Sequence, residues 1–488
     1  MPGHLYLPPE VWTLIIRSLH PNDRSTCLSV SQSLHDISLP LVFSHIIVRF
    51  GICRTTTDLN EERTEEEKVE ADEATRVSLG LLQSIIQSPD LGRVVTKVTV
   101  RAYTPEGDSY SDELMAALVG ALNVLRLRAF SWFGCGPTPQ GEVICALAEA
   151  PSASLSELLL PPDLPELCPW LPLINKLQSL SFVSRYYDHI PDVYQGSNNF
   201  KRIVQTVEVN AKSLRRLSLS GEIFTACSTW SLSSPLFEDC TQLRSLALCL
   251  DHDIGDDFTE IFEEHAHALP HLTSFRLLAT WMGPEDIDAL AAFLQGKTSL
   301  ERLDFVNQTA AGSELNNEPL LRILAGLPRL AVFGCDVRTR QLTADHFAHL
   351  SACIPHRVTA LALNVAVSEW AGTEEDWAQF FEARHACRYL HIIPDSKHVA
   401  FADLQGIAAR HPPEKLELLG YKNALRWMAR GDADAASDAG VSLWPPSRVY
   451  FRTVEDFDGH EEWEWLLRHH GQDAPLPTQT YSGFGAEG

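Results

Sequence analysis

Two rhythms of apolar residues run along this chain, and they change near residue 50. Before that point the apolar positions fall at helical spacing in three short runs. Val11, Leu14, Ile15 and Leu19 follow Leu7-Pro8. After an Asn22-Asp23 turn come Cys27, Leu28 and Val30. Leu34 and Ile37 lead to Leu39-Pro40-Leu41-Val42-Phe43. Three helices of about ten residues each cannot close a core of their own. Such a bundle leans on another surface, either the next domain or a second protein.

Further along, the rhythm becomes L-x-x-L-x-L. Copies begin at Leu214, Leu243, Leu272, Leu300, Leu330, Val358 and Cys387, 28 to 30 residues apart. Less regular copies precede them at Val95, Leu127, Leu155 and Leu177, and candidates follow at Leu416–Leu419 and Val449–Phe451. Between copies the pattern turns helical again. Ile287, Leu290, Ala291 and Leu294 make one stripe after Pro284, with Gly296 as the stop. Phe258, Ile261, Phe262 and Leu269 make another, and Trp377, Phe380 and Phe381 a third. Each unit reads as one strand and one helix. A single unit cannot hide its apolar face, whereas stacked units share a continuous core.

These units resemble leucine-rich repeats of the longer, helix-bearing variety over roughly residues 90–420. The resemblance implies an α/β solenoid with a curved parallel sheet. A generic α/β layered domain with a parallel sheet suits the same alternation. One departure bears on stacking. The family places Asn or Cys three residues after the third leucine; here Glu222, Asp251, Thr280, Gln308, Arg338, Ala366 and Asp395 stand there. Without that asparagine ladder the coils are expected to stack less regularly.

The opening runs carry a second resemblance. Leu7-Pro8-x-Glu10-x-Trp12-x-x-Ile15-Ile16-x-x-Leu19, then Asp23-Arg24-Ser25 and Ser29-Val30-Ser31, then Leu39-Pro40-x-x-Phe43, are similar to the F-box, most closely the fungal type. The match covers about residues 5–48. It implies docking on a Skp-type linker protein, and through it on a cullin. Leu7, Pro8, Ile15, Leu19, Leu28 and Val30 match the family's apolar positions and are the expected linker-binding residues. The implied organisation is an F-box over 1–50, an acidic linker over 51–75, the repeat solenoid over 76–425, a Trp-bearing C-terminal cap over 426–470 and a disordered tail over 471–488.

Composition narrows the function. At 45% hydrophobic and 21% charged, the 488 residues are ordinary for a soluble globular protein. A net charge of −25 opposes nucleic acid and anionic membrane as partners. No apolar run is long enough to cross a bilayer. No basic region followed by an apolar stretch opens the chain, which speaks against secretion. The 11 cysteines are scattered singly, without CxxC spacing, as in reduced intracellular proteins. Cytoplasm or nucleus is the expected location, where the sequon at Asn307 is irrelevant. Residues 58–73 hold nine acids against two bases and read as a solvated linker or an exposed helix.

Chemistry is sparse. Gly296-Lys297-Thr298 lacks the earlier glycine of a phosphate loop and follows a helix instead of a strand. Asp251, Asp253, Asp256 and Asp257 lack calcium-loop spacing, and acids ahead of a helix are ordinary caps. His460, Glu461 and Glu464 lack the second histidine of a zinc helix. His265, His267, His346 and His349 are isolated in the sequence. No catalytic residue, metal or cofactor is expected.

The two resemblances together imply a substrate-recognition adaptor of an SCF-type cullin–RING ubiquitin ligase. Alternate residues of each strand would face the target: Arg216, Ser218, Ser220, Ser245, Arg276, Arg302, Asp304, Asn364 and His391. Three arginines among them suit an acidic or phosphorylated target; they also suit plain solubilisation of an exposed sheet. A ligase-independent scaffold and an enzyme with an unrecognised site are the rivals.

Overall fold

The first apolar position of every regular repeat points into the core. Leu214, Leu243, Leu272, Leu300, Leu330, Val358 and Cys387 are each at most 2% exposed. The computed structural model describes residues 7–19, 21–51, 64–103, 109–149, 155–161, 169–182, 197–220, 234–250, 257–279, 282–307, 317–370, 373–394, 404–421, 424–428, 441–443 and 461–467. The chain divides into two units, Met1–Ile52 with Glu62–Leu180, and Cys53–Glu61 with Ser181–Gly488. The boundary falls inside β5 (Ser179–Phe182).

In the first unit, α1 (Pro9–Ser18), α2 (Pro21–Cys27) and α3 (Gln32–Phe43) pack on one another. They lead directly into β1 (His45–Phe50). Then follow α4 (Glu65–Gln87), α5 (Pro89–Val94), β2 (Lys97–Tyr103), α6 (Ser109–Leu122), β3 (Ala129–Gly136), α7 (Gly141–Glu149) and β4 (Glu157–Leu160). The strands β1 to β4 pair in parallel and in chain order. Ile46, Val48, Phe50, Val98, Val100, Phe130, Trp132, Leu158 and Leu160 alternate into the core.

Two expected boundaries move. Strand β1 starts before residue 50 and pairs with β2, so the opening helices share a unit with the first strands. The stretch expected as an acidic linker is helical from Glu65 onward, opened by a Thr64–Glu67 capping box. Its acids favour the positive end of the helix dipole. Residues 52–63 lie outside the described residues. Helix α4 also closes the sheet's first edge. The Arg49 and Gly51 N–H groups donate to the Ser78 and Thr75 hydroxyls at 2.9 and 3.0 Å. Those donors would otherwise template another strand.

In the second unit, α8 (Ser197–Asn210) precedes β6 (Arg216–Ser220) and β7 (Ser245–Leu250). Helices and strands then alternate: α9 (Asp257–Glu264), β8 (Ser274–Ala279), α10 (Pro284–Leu294), β9 (Arg302–Asn307), α11 (Glu318–Ile323), β10 (Val332–Leu342), α12 (Ala344–Cys353), β11 (Ala360–Trp370), α13 (Glu374–Glu382), β12 (Tyr389–Pro394), α14 (Leu404–Arg410) and β13 (Leu418–Tyr421). Strands β6 to β13 pair in parallel in chain order. The antiparallel β14 (Ala424–Met428) and β15 (Val441–Leu443) follow, and then α15 (Glu461–Leu467). Successive helices from α9 to α14 touch and make the second layer. Aromatic rings fill the space between layers. Phe262 packs against Phe237 and Phe293, and Phe347 meets Trp377 at 4.6 Å.

Stacking is regular despite the absent ladder, because other groups supply it. At the start of successive parallel strands within each unit, one carbonyl accepts two N–H donors from the next repeat. Arg215, Arg244, Thr273, Glu301, Ala331, Thr359 and Arg388 all do so, at 2.7 to 3.2 Å. Ser44, Thr96, Arg128 and Ser156 repeat the pattern in the first unit. A second ladder is basic. Just past its helix, Lys297 donates to the Ala266 and Ala268 carbonyls of the previous unit at 3.1 and 2.6 Å. Arg357 donates to the Leu327 carbonyl. Arg384 donates to the Ile354 and Ser351 carbonyls at 2.7 and 3.0 Å. A cation suits those positions, since a helix C-terminus presents unpaired carbonyls and partial negative charge.

One asparagine does serve a turn. The buried Asn307 side chain accepts from the Met282 N–H at 3.2 Å and donates to the Met282 carbonyl at 3.1 Å. It lies one residue before Gln308, the position at which the family pattern expects it.

Burial pushes the Lys297 ammonium down to about 8. Its folded pKa is then lower than its unfolded one, so the folded chain releases this proton first. This group's effect on stability therefore becomes more favourable as pH rises from about 8 towards 10.5. Denaturation of the wild type and of Lys297→Met, compared between about pH 7.5 and about pH 9.5, should show the wild type gaining on the variant. A difference that stays constant with pH contradicts the assignment.

Candidate protein-binding face

Parallel pairing in constant register lines up the alternate residues of the second unit in rows. One row reads Arg216, Ser245, Ser274, Arg302, Val332, Ala360, Tyr389 and Leu418 across β6 to β13. The next reads Ser218, Ala247, Arg276, Asp304, Gly334, Ala362, His391 and Gly420. The residues expected to face a target do share this face. They do not share its exposure.

At the β6 and β7 end the described residues leave the face more exposed. Arg216 is exposed, and Ser218 and Ser245 are half-buried. Ser220 lies in β6, with its side chain outside what the structure describes. Arg302 and Asn364 are half-buried. Arg276, Asp304 and His391 are buried, contrary to the expectation of an exposed row. Arg276 Nε lies 3.8 Å from Asp304 Oδ2, which gives a buried ion pair. Such a pair adds little net stability because both charges lose water, while removing one partner is costly.

The C-terminal helix covers part of this face. Helix α15 contacts β10 and β11. Its Trp463, Leu466 and Leu467, at i, i+3 and i+4, are buried with Val332, Ala360, Ala362, Tyr389, Leu418 and Leu425. The Trp463 ring lies 5.8 Å from that of Tyr389 and 5.9 Å from that of Trp427. Trp465 sits on the Arg276 guanidinium, 4.1 Å from ring centre to Cζ. The Trp-bearing segment was expected to cap the last coil. It lies instead on the alternate face of the sheet, because its tryptophans find the small residues Ala360 and Ala362 there. Beside it is a cavity of about 360 Å³ lined by Glu301, Arg302, Arg329, Ala331, Val332 and Glu462.

Deeper in the face, the Tyr389 hydroxyl and His391 Nδ1 are 2.8 Å apart. The His391 ring lies over Gly420, where an added Cβ would approach it to 2.5 Å. Glycine is what admits the imidazole there.

The opening helices of the first unit hold the other candidate site. Among the described side chains of α1 to α3, only Ile16 and Ser38 are fully buried. Leu14 is 65% exposed and Val30 62%. Leu7, Pro8, Val11 and Ile15 are also exposed, while Leu19 and Leu28 are half-buried. Val11 and Leu14 join the apolar surface that the family positions had marked out.

His349 pairs with Glu318 and lies 3.5 Å from Cys353 Sγ through the same Nε2. A relay needs the carboxylate on the opposite nitrogen. Burial, then Glu318, raises the Cys353 thiol, which opposes thiolate formation. Burial likewise pushes Cys240 and Cys387 up to about 12. His346 closes the capping box of α12, and His265 stacks on Phe237. Among the described residues no cluster of His, Cys, Asp or Glu could hold a metal ion. Nor is any helix among them long and apolar enough to cross a membrane. Asp251, Asp253, Asp256 and His460 lie outside the described residues, as do 431–440 and 471–488.

No family model and no curated protein matches the chain. Among solved structures, the leucine-rich repeat-containing protein LegL7 from Legionella pneumophila is similar to it at 13% identity, over 75% of this chain and 98% of that one, with a TM-score of 0.38. The repeat architecture therefore stands on this chain's own register and burial.

Seating of the His391 ring on Gly420 has a measurable cost when disturbed. Gly420→Ala should destabilise the chain by about 2 kcal/mol, as overpacking of a filled site does. His391→Ala in that background should recover part of the loss in a thermal melt. A Gly420→Ala chain that melts with the wild type contradicts the placement.

Proposed function

We propose that the chain is a protein-recognition receptor, the target-binding adaptor of an SCF-type cullin–RING ubiquitin ligase. In this reading α1 to α3 dock a Skp-type linker protein. The alternate face of the repeat sheet receives the target. The chain itself makes and breaks no bond. It holds the target's lysines close to the ubiquitin-conjugating enzyme, where proximity raises the rate. Cytoplasm or nucleus is the matching location.

The observation that carries this reading is the apolar surface of the opening helices. Leu7, Val11, Leu14, Ile15 and Val30 are all exposed on a module with almost no interior of its own. Clustered exposed apolar side chains mark interaction sites, and these fall on the motif that resembles an F-box.

A ligase-independent scaffold is the second reading. It is favoured by the join between α3 and β1, and by the packing of α3 on α5. Those features make the opening helices part of the first unit, as a cap would be.

The same join makes deletion of residues 1–50 a poor test, because it strips β1 from the sheet. Exposed substitutions are cleaner. The purified wild type should bind a Skp-type linker with a Kd of about 1 µM or tighter. Leu14→Glu with Val30→Glu should weaken binding at least about 100-fold, because a carboxylate then loses water at the interface. The melting temperature should stay unchanged, since both positions are exposed. Absence of a complex at micromolar wild type leaves the scaffold reading in place.

A further inference from the structure

We propose that the alternate face over β8 to β13 is a helix-docking groove, that α15 occupies it in cis, and that the target enters as a helix of the same chemistry. This rests on the reading of the sheet face as the target-binding surface. The matching ligand is an acidic amphipathic helix carrying Trp, Leu and Leu at i, i+3 and i+4.

The seated segment shows what the face accepts. Trp463, Leu466 and Leu467 fill an apolar floor made by Val332, Ala360, Ala362 and Tyr389. Ala360 and Ala362 leave room for a helix backbone to approach, and large indole rings complete the fit. The floor's neighbours include two arginines beside Glu462, Arg302 and Arg329, together with Glu301, while Arg276 is paired with Asp304. Arg276 also lies under Trp465. Glu461, Glu462 and Glu464 make the helix acidic, so charge and shape agree.

The occupant is also suited to leave. Helix α15 has seven residues, too few to be stable alone in water. Its order therefore derives from the face beneath it. Tethering gives it an effective concentration of about millimolar order. A target helix must exceed that by tighter binding or by a second contact, such as one at the β6 and β7 end where Arg216 is exposed. The device makes the receptor selective, because a weak apolar peptide cannot displace the cis helix.

The test uses the full chain and a fluorescent peptide with the sequence of residues 458–470. Trp463→Ala with Leu467→Ala releases the cis helix. The peptide should bind this folded variant with a micromolar Kd and the wild type at least about 10-fold more weakly, through cis competition. A peptide carrying Trp463→Ala should bind neither. Equal binding to variant and wild type overturns the proposal, as does no binding to the folded variant. Trp463→Ala alone, which empties the indole site and leaves Leu466 and Leu467 unchanged, serves if the first variant does not fold. If neither folds, the helix is a fixed part of the core and the proposal falls. Linker binding through α1 to α3, measured in parallel, reports separately on the adaptor reading.

Discussion

The paired acceptance of two N–H groups by one carbonyl, repeated at the start of successive parallel strands, is the constraint on which the structure depends. Within each compact unit it locks one repeat to the next in a constant register. A slip of one residue would exchange the two faces of every strand and send the leucines outward. With register fixed, the leucines fall in the core and the alternate residues fall in rows. The chemistry of the sheet face is thus a consequence of backbone pairing and not of any single side chain.

Side chains adapt that frame. The sequence does not carry the family's asparagine ladder, and at the other end of the unit, just past the helices, Lys297, Arg357 and Arg384 bind carbonyls of the preceding unit. Small residues do the converse on the face. Ala360, Ala362 and Gly420 make room, the His391 ring lies over Gly420, and Trp463 packs against Tyr389. Helix α4 closes the first edge through Ser78 and Thr75. At the far end, the antiparallel β14 and β15 continue the sheet beyond β13.

Much of this was legible in the sequence. The leucine spacing of 28 to 30 residues gave the strand positions, and all seven first positions are buried. Helical stripes at Pro284–Leu294 and around Trp377 became α10 and α13. What the sequence hid was tertiary. An acidic run reads as solvated whether it tethers or lies along an edge, and only the hydroxyls of Thr75 and Ser78 distinguish the two. Asn307 stood one place away from the expected position. The signal for the covered face was present as well: Trp463, Leu466 and Leu467 at helical spacing need an apolar partner, and Val332, Ala360, Tyr389 and Leu418 are apolar at positions that an open face would make polar.

The central claim is that the C-terminal helix closes part of the sheet face. Hydroxyl-radical footprinting of the intact chain reads it directly. Trp463 should be protected to the level of the core residue Trp377, with Trp465 reacting faster than either, since Trp463 and Trp377 are buried and Trp465 is half-buried. Oxidation of Trp463 at the rate of the free peptide would contradict the account.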